Sequence, residues 1–238
     1  ATHGVLRLLL ELDGEVVVKC SPVIGYLHTG FEKSYEDKTY HAGVTLTDRM
    51  DYLNPLGNNL VFALAVEKLL QIEVPPRATV ARVILAELTR LNSHLVWLGT
   101  QALDLGAMSA FLYCFRERET LLDIFESVSG QRMMTSYIRP GGLKLDLTDD
   151  FEPRVREVLR TFPSRIDDYE ALLTDNELWR ERCIGVGTLK REVALAYGCS
   201  GPVARASGID WDIRRENPYL GYERYKFQVP VRTEGDVY

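Results

Sequence analysis

With 238 residues, 46% of them apolar, the chain can bury roughly 70% of its unfolded surface in one or two domains without disulfide staples. A net charge of -6 with 28 dispersed basic residues excludes the concentrated basic face that a nucleic acid backbone demands, so no nucleic acid partner is expected. Cys20, Cys114, Cys183 and Cys199 form no CxxC or Cys/His pair and read as reduced, mostly buried thiols, while no apolar run reaches the roughly 18 residues of a membrane span.

In chain order, Leu6, Leu8, Leu10 and Leu12 alternate with Arg7 and Glu11 before Asp13-Gly14, and "EVVVKC" returns, which predicts a β-hairpin with His3 at its open end. Ser21 to Thr47 is rich in loop residues and reads as a cap with no core of its own. Asn54 is a good N-cap and Pro55 suits the first helical position, so a helix starts there, and "LVFALAV" is apolar on every side, as in a helix surrounded by others. A second helix follows Pro75-Pro76, with Val80, Ile84, Leu88, Leu91, Leu95, Leu98, Ala102 and Leu105 along one stripe. A third covers about Ala107 to Ser129 and stops at Gly130. After "IRPGG" a fourth begins near Thr148, is disturbed at Pro163, and carries Val155, Leu159, Phe162, Ile166, Tyr169 and Leu173. The expected fold class is α+β, mainly α: an N-terminal β-hairpin and loop cap (1–53), an antiparallel helical bundle (54–182) and a mostly extended segment (183–238) with one short helix near "REVALAYG". The chain lacks an initiator Met and ends at "GDVY" without a helix, the pattern expected of a fragment.

Few polar residues point to chemistry. Tyr52 sits on the last irregular residues before a rigid helix, where a phenol can be aimed; a loop tyrosine with its hydroxyl in water is the plain alternative. Arg49 and Asp51 read as a surface ion pair, His94 as a hydrogen-bonded core histidine, and Arg118 as a paired charge on an apolar face. Asp104 ends its helix, where the macrodipole disfavours an acid and calls for water or a cation such as a histidine. One His and one Glu in "HTGFE" make a weak ligand signal, and there is no G-x-S-x-G, P-loop or G-x-G-x-x-G.

As whole strings, "THGVLRLLLELDGE", "IGYLHTGFEK", "RMDYLNPL", "PPRATVARVILAELTRLNSHL", "ALDLGAMSAFLYCFRERE", "YIRPGG" and "GPVARASGIDWDIR" resemble the D-type, quinone-site subunits of the proton-pumping NADH:quinone oxidoreductases, respiratory complex I, through nearly the whole chain. That family is related to the large subunits of nickel-iron hydrogenases. There the segment matching "RMDYLN" is an Arg-x-Cys-x-x-Cys type motif; here Asp51 and Asn54 stand in the cysteine places, and a carboxylate and an amide are poor substitutes for two soft thiolates around nickel.

The resemblance implies a quinone headgroup in the emptied pocket, with His3 and Tyr52 hydrogen-bonding its carbonyl oxygens, Asp104 partnering His3, Thr100 lining the same wall and Arg49 near an iron-sulfur cluster in the neighbouring B-type subunit. A phenol of ordinary pKa about 10 and an imidazole of about 6.5 bracket neutral pH and suit proton delivery to a reduced quinone. It further implies no cofactor bound by this chain, partners including the B-type iron-sulfur subunit, the C-type subunit and the H-type membrane subunit, and a peripheral place on the cytoplasmic side of the bacterial inner membrane. Met134 stands where family members often carry a histidine. A thioether cannot titrate, so proton-linked tuning of the cluster from that position is expected to be absent. The rival implied by the same resemblance is a non-catalytic structural subunit of a hydrogenase-like complex.

Overall fold

The structure is a computed structural model and describes residues 6–238. It is mainly helical with a small antiparallel hairpin at its start, as the periodicity predicts. The hairpin pairs β1 (Arg7–Asp13) with β2 (Val16–Val23), and a register shift falls between Glu11 and Leu12. Its loop residues are Gly14 and Glu15, one position later than expected, because Gly14 supplies the positive φ of 62° that the turn needs. Leu9 and Leu10 are both about half exposed and point to opposite faces, so neither face of the ribbon is covered by the described chain.

The segment read as a loop cap corrects that expectation. It forms α1 (Phe31–Glu36) and α2 (Tyr40–Thr47), and α2 buries Val44 and Thr47 against the next helix. Thr39 caps α2 by accepting from the Ala42 N–H at 3.2 Å, and the Tyr35 hydroxyl donates to the Gly43 carbonyl at 2.8 Å. At six and eight residues these helices are too short for a periodicity window to reveal.

Four long helices carry the core: α3 (Pro55–Leu70), α4 (Pro76–Asp104), α5 (Met108–Ser129) and α6 (Phe151–Leu173). Their sequential packing, α3 on α4, α4 on α5 and α5 on α6, follows from short links at the first two joints, whereas α5 meets α6 across a longer connection that carries a small hairpin at 138–143. Leu56, Leu60, Leu85, Leu88, Leu95, Leu121, Phe125, Phe151 and Val158 meet in one cluster. A Cβ on Gly99 would stand 3.2 Å from the Cys114 Cβ, so a side chain longer than hydrogen would press α4 away from α5. Gly130 closes α5 with φ 78°, and α6 continues through Pro163. Two expectations fail on this frame. Helix α3 is not apolar-buried on every side, since Val61, Leu69 and Leu70 face outward. Arg118 is buried but not paired: its Nε has no partner, and its guanidinium lies 5.8 Å from the Phe115 ring centroid.

A buried ion pair joins the helices to a tight hairpin. Arg82 on α4, fully buried, donates to both carboxylate oxygens of Glu67 on α3 at 3.0 and 2.6 Å. Arg82 also donates to the carbonyls of Arg139 and Gly142, which belong to β3 (Ile138–Arg139) and β4 (Gly142–Leu143), while Glu67 accepts from the Gly141 N–H. The "IRPGG" turn thus supplies the two carbonyls and the amide N–H that complete the pair's hydrogen bonding.

Beyond α7 (Glu177–Cys183) the chain makes three short helices, α8 (Arg191–Ala196), α9 (Gly201–Ala206) and α10 (Ile213–Glu216), and a 3-10 turn at Tyr222–Arg224. This is more helix than the single stretch expected in residues 183–238, although irregular backbone still prevails. The segment is clamped to α4 through Glu87, which accepts from the Tyr222 hydroxyl at 2.5 Å and pairs with Arg90 and Arg214. Asp212 in turn holds Arg214 at 2.7 Å, and hydrogen bonding to that guanidinium lowers the Asp212 carboxyl to about 2. Because the folded value lies below the ordinary 3.8, this contribution is complete above about pH 4 and is lost as pH falls toward 2. Amide protection across 212–222, with exchange rates corrected for their intrinsic pH dependence, is therefore expected to fall over that acid range. In an Asp212→Asn variant this protection should already be lower at neutral pH and nearly flat below; the same acid response in the variant would contradict the assignment.

Candidate functional site

The turn between α2 and α3 is the best-built polar element in the chain. Asp48, the residue capping α2, is wholly buried. Its carboxylate accepts from the Ser136 N–H at 3.0 Å, from the Ser136 hydroxyl, and from the Asn59 amide of α3 at 2.9 Å. Asp51 folds the other end: its Oδ1 accepts from the Leu53 N–H at 3.2 Å and its carbonyl accepts from Asn54 N and Asn58 Nδ2. Tyr52 follows both carboxylates, half-buried, inside the turn that Asp51 closes and three residues before the helix.

Arg49 is exposed on the same turn and donates to the Thr45 carbonyl at 2.5 Å. The ion pair expected between Arg49 and Asp51 is not made, because each group is occupied by backbone near it. Asn54 occupies the N-cap position without a side-chain cap bond, and its Oδ1 is buried without a partner. With Asp51 engaged in the turn and hard oxygen donors at both positions, the pair does not fit nickel. Among the described residues no group of three His, Cys, Asp or Glu could hold a metal ion.

Thr100 and Asp104 lie one turn apart on α4, hence on one face. The Thr100 hydroxyl, half-buried, donates to the Val96 and Trp97 carbonyls at 2.8 and 3.2 Å, and Asp104 is exposed at the helix end. The cation at that end is Arg182, which donates to the Leu105 carbonyl just past α4. Arg90 shares a cavity wall with Asn54, and Thr100 stands about 15 Å further along α4 from Arg90 by helix rise. The structure therefore places Arg49 with Tyr52 on the turn and Thr100 with Asp104 on the helix, two groups carried by different elements. His3 lies outside the described residues.

Sequence reasoning missed the groups that hold this site. Asp48, Asn59 and Ser136 carried no motif; the one signal was an asparagine directly before the apolar run of α3. It also missed a groove of about 460 Å³ between α3, α4 and α10, walled by Leu60, Val61, Ala86, Ile213, Tyr219 and Tyr222. His94, read as a core residue, is exposed on an adjoining rim beside Arg205 and Trp211. Desolvation there, then the charges of Arg90, Arg205 and Arg214, push its imidazole below the ordinary value.

The model of the family described as respiratory-chain NADH dehydrogenase, 49 kDa subunit, matches residues 104–238, more than half of the chain. The chain belongs to this family. Relatives match it along its full length: D-type NADH-quinone oxidoreductase subunits of Chloroflexus aurantiacus and Roseiflexus castenholzii are each 63% identical over all 238 residues. The D-type NADH-quinone oxidoreductase subunit of Geotalea uraniireducens is 58% identical over the same span. The chain covers 58%, 57% and 61% of the length of these three relatives respectively. The 49 kDa family match begins at Asp104, so Arg49, Tyr52 and Thr100 are covered by the full-length relatives alone.

Proposed function

We propose that this chain forms a wall of the quinone-reducing site of an NADH:quinone oxidoreductase, with Tyr52 and His3 as donors to the quinone oxygens and Thr100 and Asp104 on the opposite side. The observation that carries this reading is the Tyr52 turn, anchored by the buried Asp48 and closed by Asp51, in a chain 63% identical over its length to the D-type NADH-quinone oxidoreductase subunit of Chloroflexus aurantiacus. A phenol held on a stiff turn keeps its orientation without being buried in the core, which is what a donor to a transient ligand requires.

In the reaction, two electrons and two protons convert the quinone to its quinol. Negative charge grows on the carbonyl oxygens as electrons arrive, and donors already aimed at those oxygens lower its cost. Tyr52 supplies such a donor. His3 delivers a proton, and Asp104 favours the protonated imidazole by its charge. The electrons would come from an iron-sulfur cluster, which we assign to the adjoining B-type subunit. Arg49, exposed beside Tyr52, faces that partner. The C-type and membrane H-type subunits complete the surroundings, and the chain sits peripherally on the cytoplasmic face of the membrane. Among the described residues no helix is long and apolar enough to cross a membrane.

Asp104→Asn in the assembled complex tests the arrangement. Loss of the carboxylate is expected to lower quinone reduction about tenfold and to shift the alkaline limb of its pH profile downward, as the imidazole loses its charge partner. An unchanged rate and profile would remove Asp104 from the site.

A further inference from the structure

We infer that Asp48 is a positioning residue for the quinone site, acting through Ser136 and the turn that carries Tyr52; this deepens the reading above and rests on it. Asp48 has no accessible surface, and among the described residues the donors on its carboxylate are neutral: the Ser136 N–H, the Ser136 hydroxyl and the Asn59 amide. Burying a carboxylate on neutral donors is costly, and an apolar residue of similar volume would pack the same space more cheaply. The charge therefore answers to something other than packing.

Ser136 supplies the reason. Its φ of 43° places a side-chain-bearing residue in the left-handed region, which is unfavourable for any residue with a Cβ. Two of its polar groups converge on the Asp48 carboxylate, with the N–H lying 3.0 and 3.2 Å from the two oxygens. The carboxylate thus holds the 131–137 segment in a conformation it would otherwise leave. The same residue begins the Tyr52 turn.

Between Asp48 and Pro55 the backbone is bound at short range on both sides of the Asp51–Tyr52 link: Arg49 N to Leu46 O and Met50 N to Thr47 O before it, Leu53 N to Asp51 Oδ1 and Asn54 N to Asp51 O around it. Closed on both flanks, the turn passes a shift of Asp48 on to Tyr52. Displacing Asp48 displaces Tyr52, and Asn59 ties the assembly to the core through Asp48 at 2.9 Å and Thr47 at 2.8 Å. The latch therefore fixes the phenol relative to two elements at once, α3 and the strained segment.

The test uses the assembled complex and three variants, Asp48→Ala, Asp48→Ala with Ser136→Gly, and Tyr52→Phe, each assayed with a short-chain quinone and with an artificial acceptor that bypasses the quinone site. Asp48→Ala is expected to lower kcat/KM for quinone about tenfold, mostly in kcat, because a donor misplaced by an ångström loses its effect on the developing charge. The artificial-acceptor rate should stay level, whereas a merely structural role would lower both rates together. Glycine adopts the left-handed conformation without help, so Ser136→Gly is expected to restore most of the lost quinone activity. Loss without rescue overturns the latch, as does a parallel loss of both rates. If Asp48→Ala is silent while Tyr52→Phe is impaired, the positioning role falls and the quinone reading stands; if both are silent, the quinone reading itself falls. Should the alanine variant fail to assemble, Asp48→Asn carries the same comparison, with about a threefold loss and the same rescue expected, and absence of either overturns the proposal.

Discussion

Tyr52→Phe is expected to cut quinone reduction by the assembled complex about 10- to 100-fold, chiefly in kcat, with the artificial-acceptor rate preserved. The size follows from what one donor contributes: removing a single hydrogen bond aimed at a developing oxyanion typically costs about 10²–10³ in rate. The loss expected here lies at or below the lower end of that range because His3 would still serve the quinone. Phenylalanine keeps the ring, and the turn around it is held by Asp48 and Asp51 through contacts that do not use the phenol. The change therefore reports the hydroxyl and little else. Steady-state kinetics with quinones of different headgroup potential would check it. If the loss appears only as a raised KM, Tyr52 binds substrate and transition state equally and the catalytic role is refuted.

Arg82→Met should be the most damaging single change to the fold. It strips the Glu67 carboxylate of its two charged hydrogen bonds and leaves only the Gly141 N–H on it, at a site with almost no solvent contact. Breaking one side of a buried pair costs about 3–5 kcal/mol, a large share of a typical domain's stability. The carbonyls of Arg139 and Gly142 lose their donor as well, so the "IRPGG" turn should detach from α3 and α4. Denaturant unfolding of the full-length protein, or its yield in assembled complex, measures this. Replacing both partners, Glu67→Leu with Arg82→Met, is expected to be less harmful than Arg82→Met alone, since no unpaired charge remains. A double variant as unstable as the sum of the singles would show that the pair is not coupled.

The sequence disclosed those parts of the fold that depend on local chemistry. Pro55 at a helix start, Gly130 at a helix end and the glycine turn of the hairpin each follow from a conformational preference of one residue, and the apolar stripe of α4 follows from its length. What escaped depends on partners far apart in the chain. Asp48 meets Ser136 across 88 positions and Arg214 reaches Glu87 across 127, and no spacing rule anticipates either. His94 was misplaced for a related reason. Its neighbours Leu95 and Leu91 mark an apolar stripe, but the ring points to the rim where the C-terminal helices bring Arg205 and Trp211.

The candidate site was legible as residues but not as an arrangement. Tyr52 drew attention through its place before a rigid helix, which the structure retains, yet the two carboxylates that hold its turn offered no signal beyond their charge. Thr100 and Asp104 could be placed on one face by counting along a helix. Their relation to Tyr52 depends on how α2 and α3 meet α4, and on His3 beyond the described residues.

The most direct test is photoaffinity labelling of the intact complex, containing the full-length protein, with a quinone bearing a photoreactive headgroup, followed by peptide mapping. Adducts on residues 49–54 and 100–104, suppressed by excess unlabelled quinone, are the predicted result. Competable adducts found solely on the partner proteins, with this chain unlabelled, would contradict the assignment of the quinone to the Tyr52 turn.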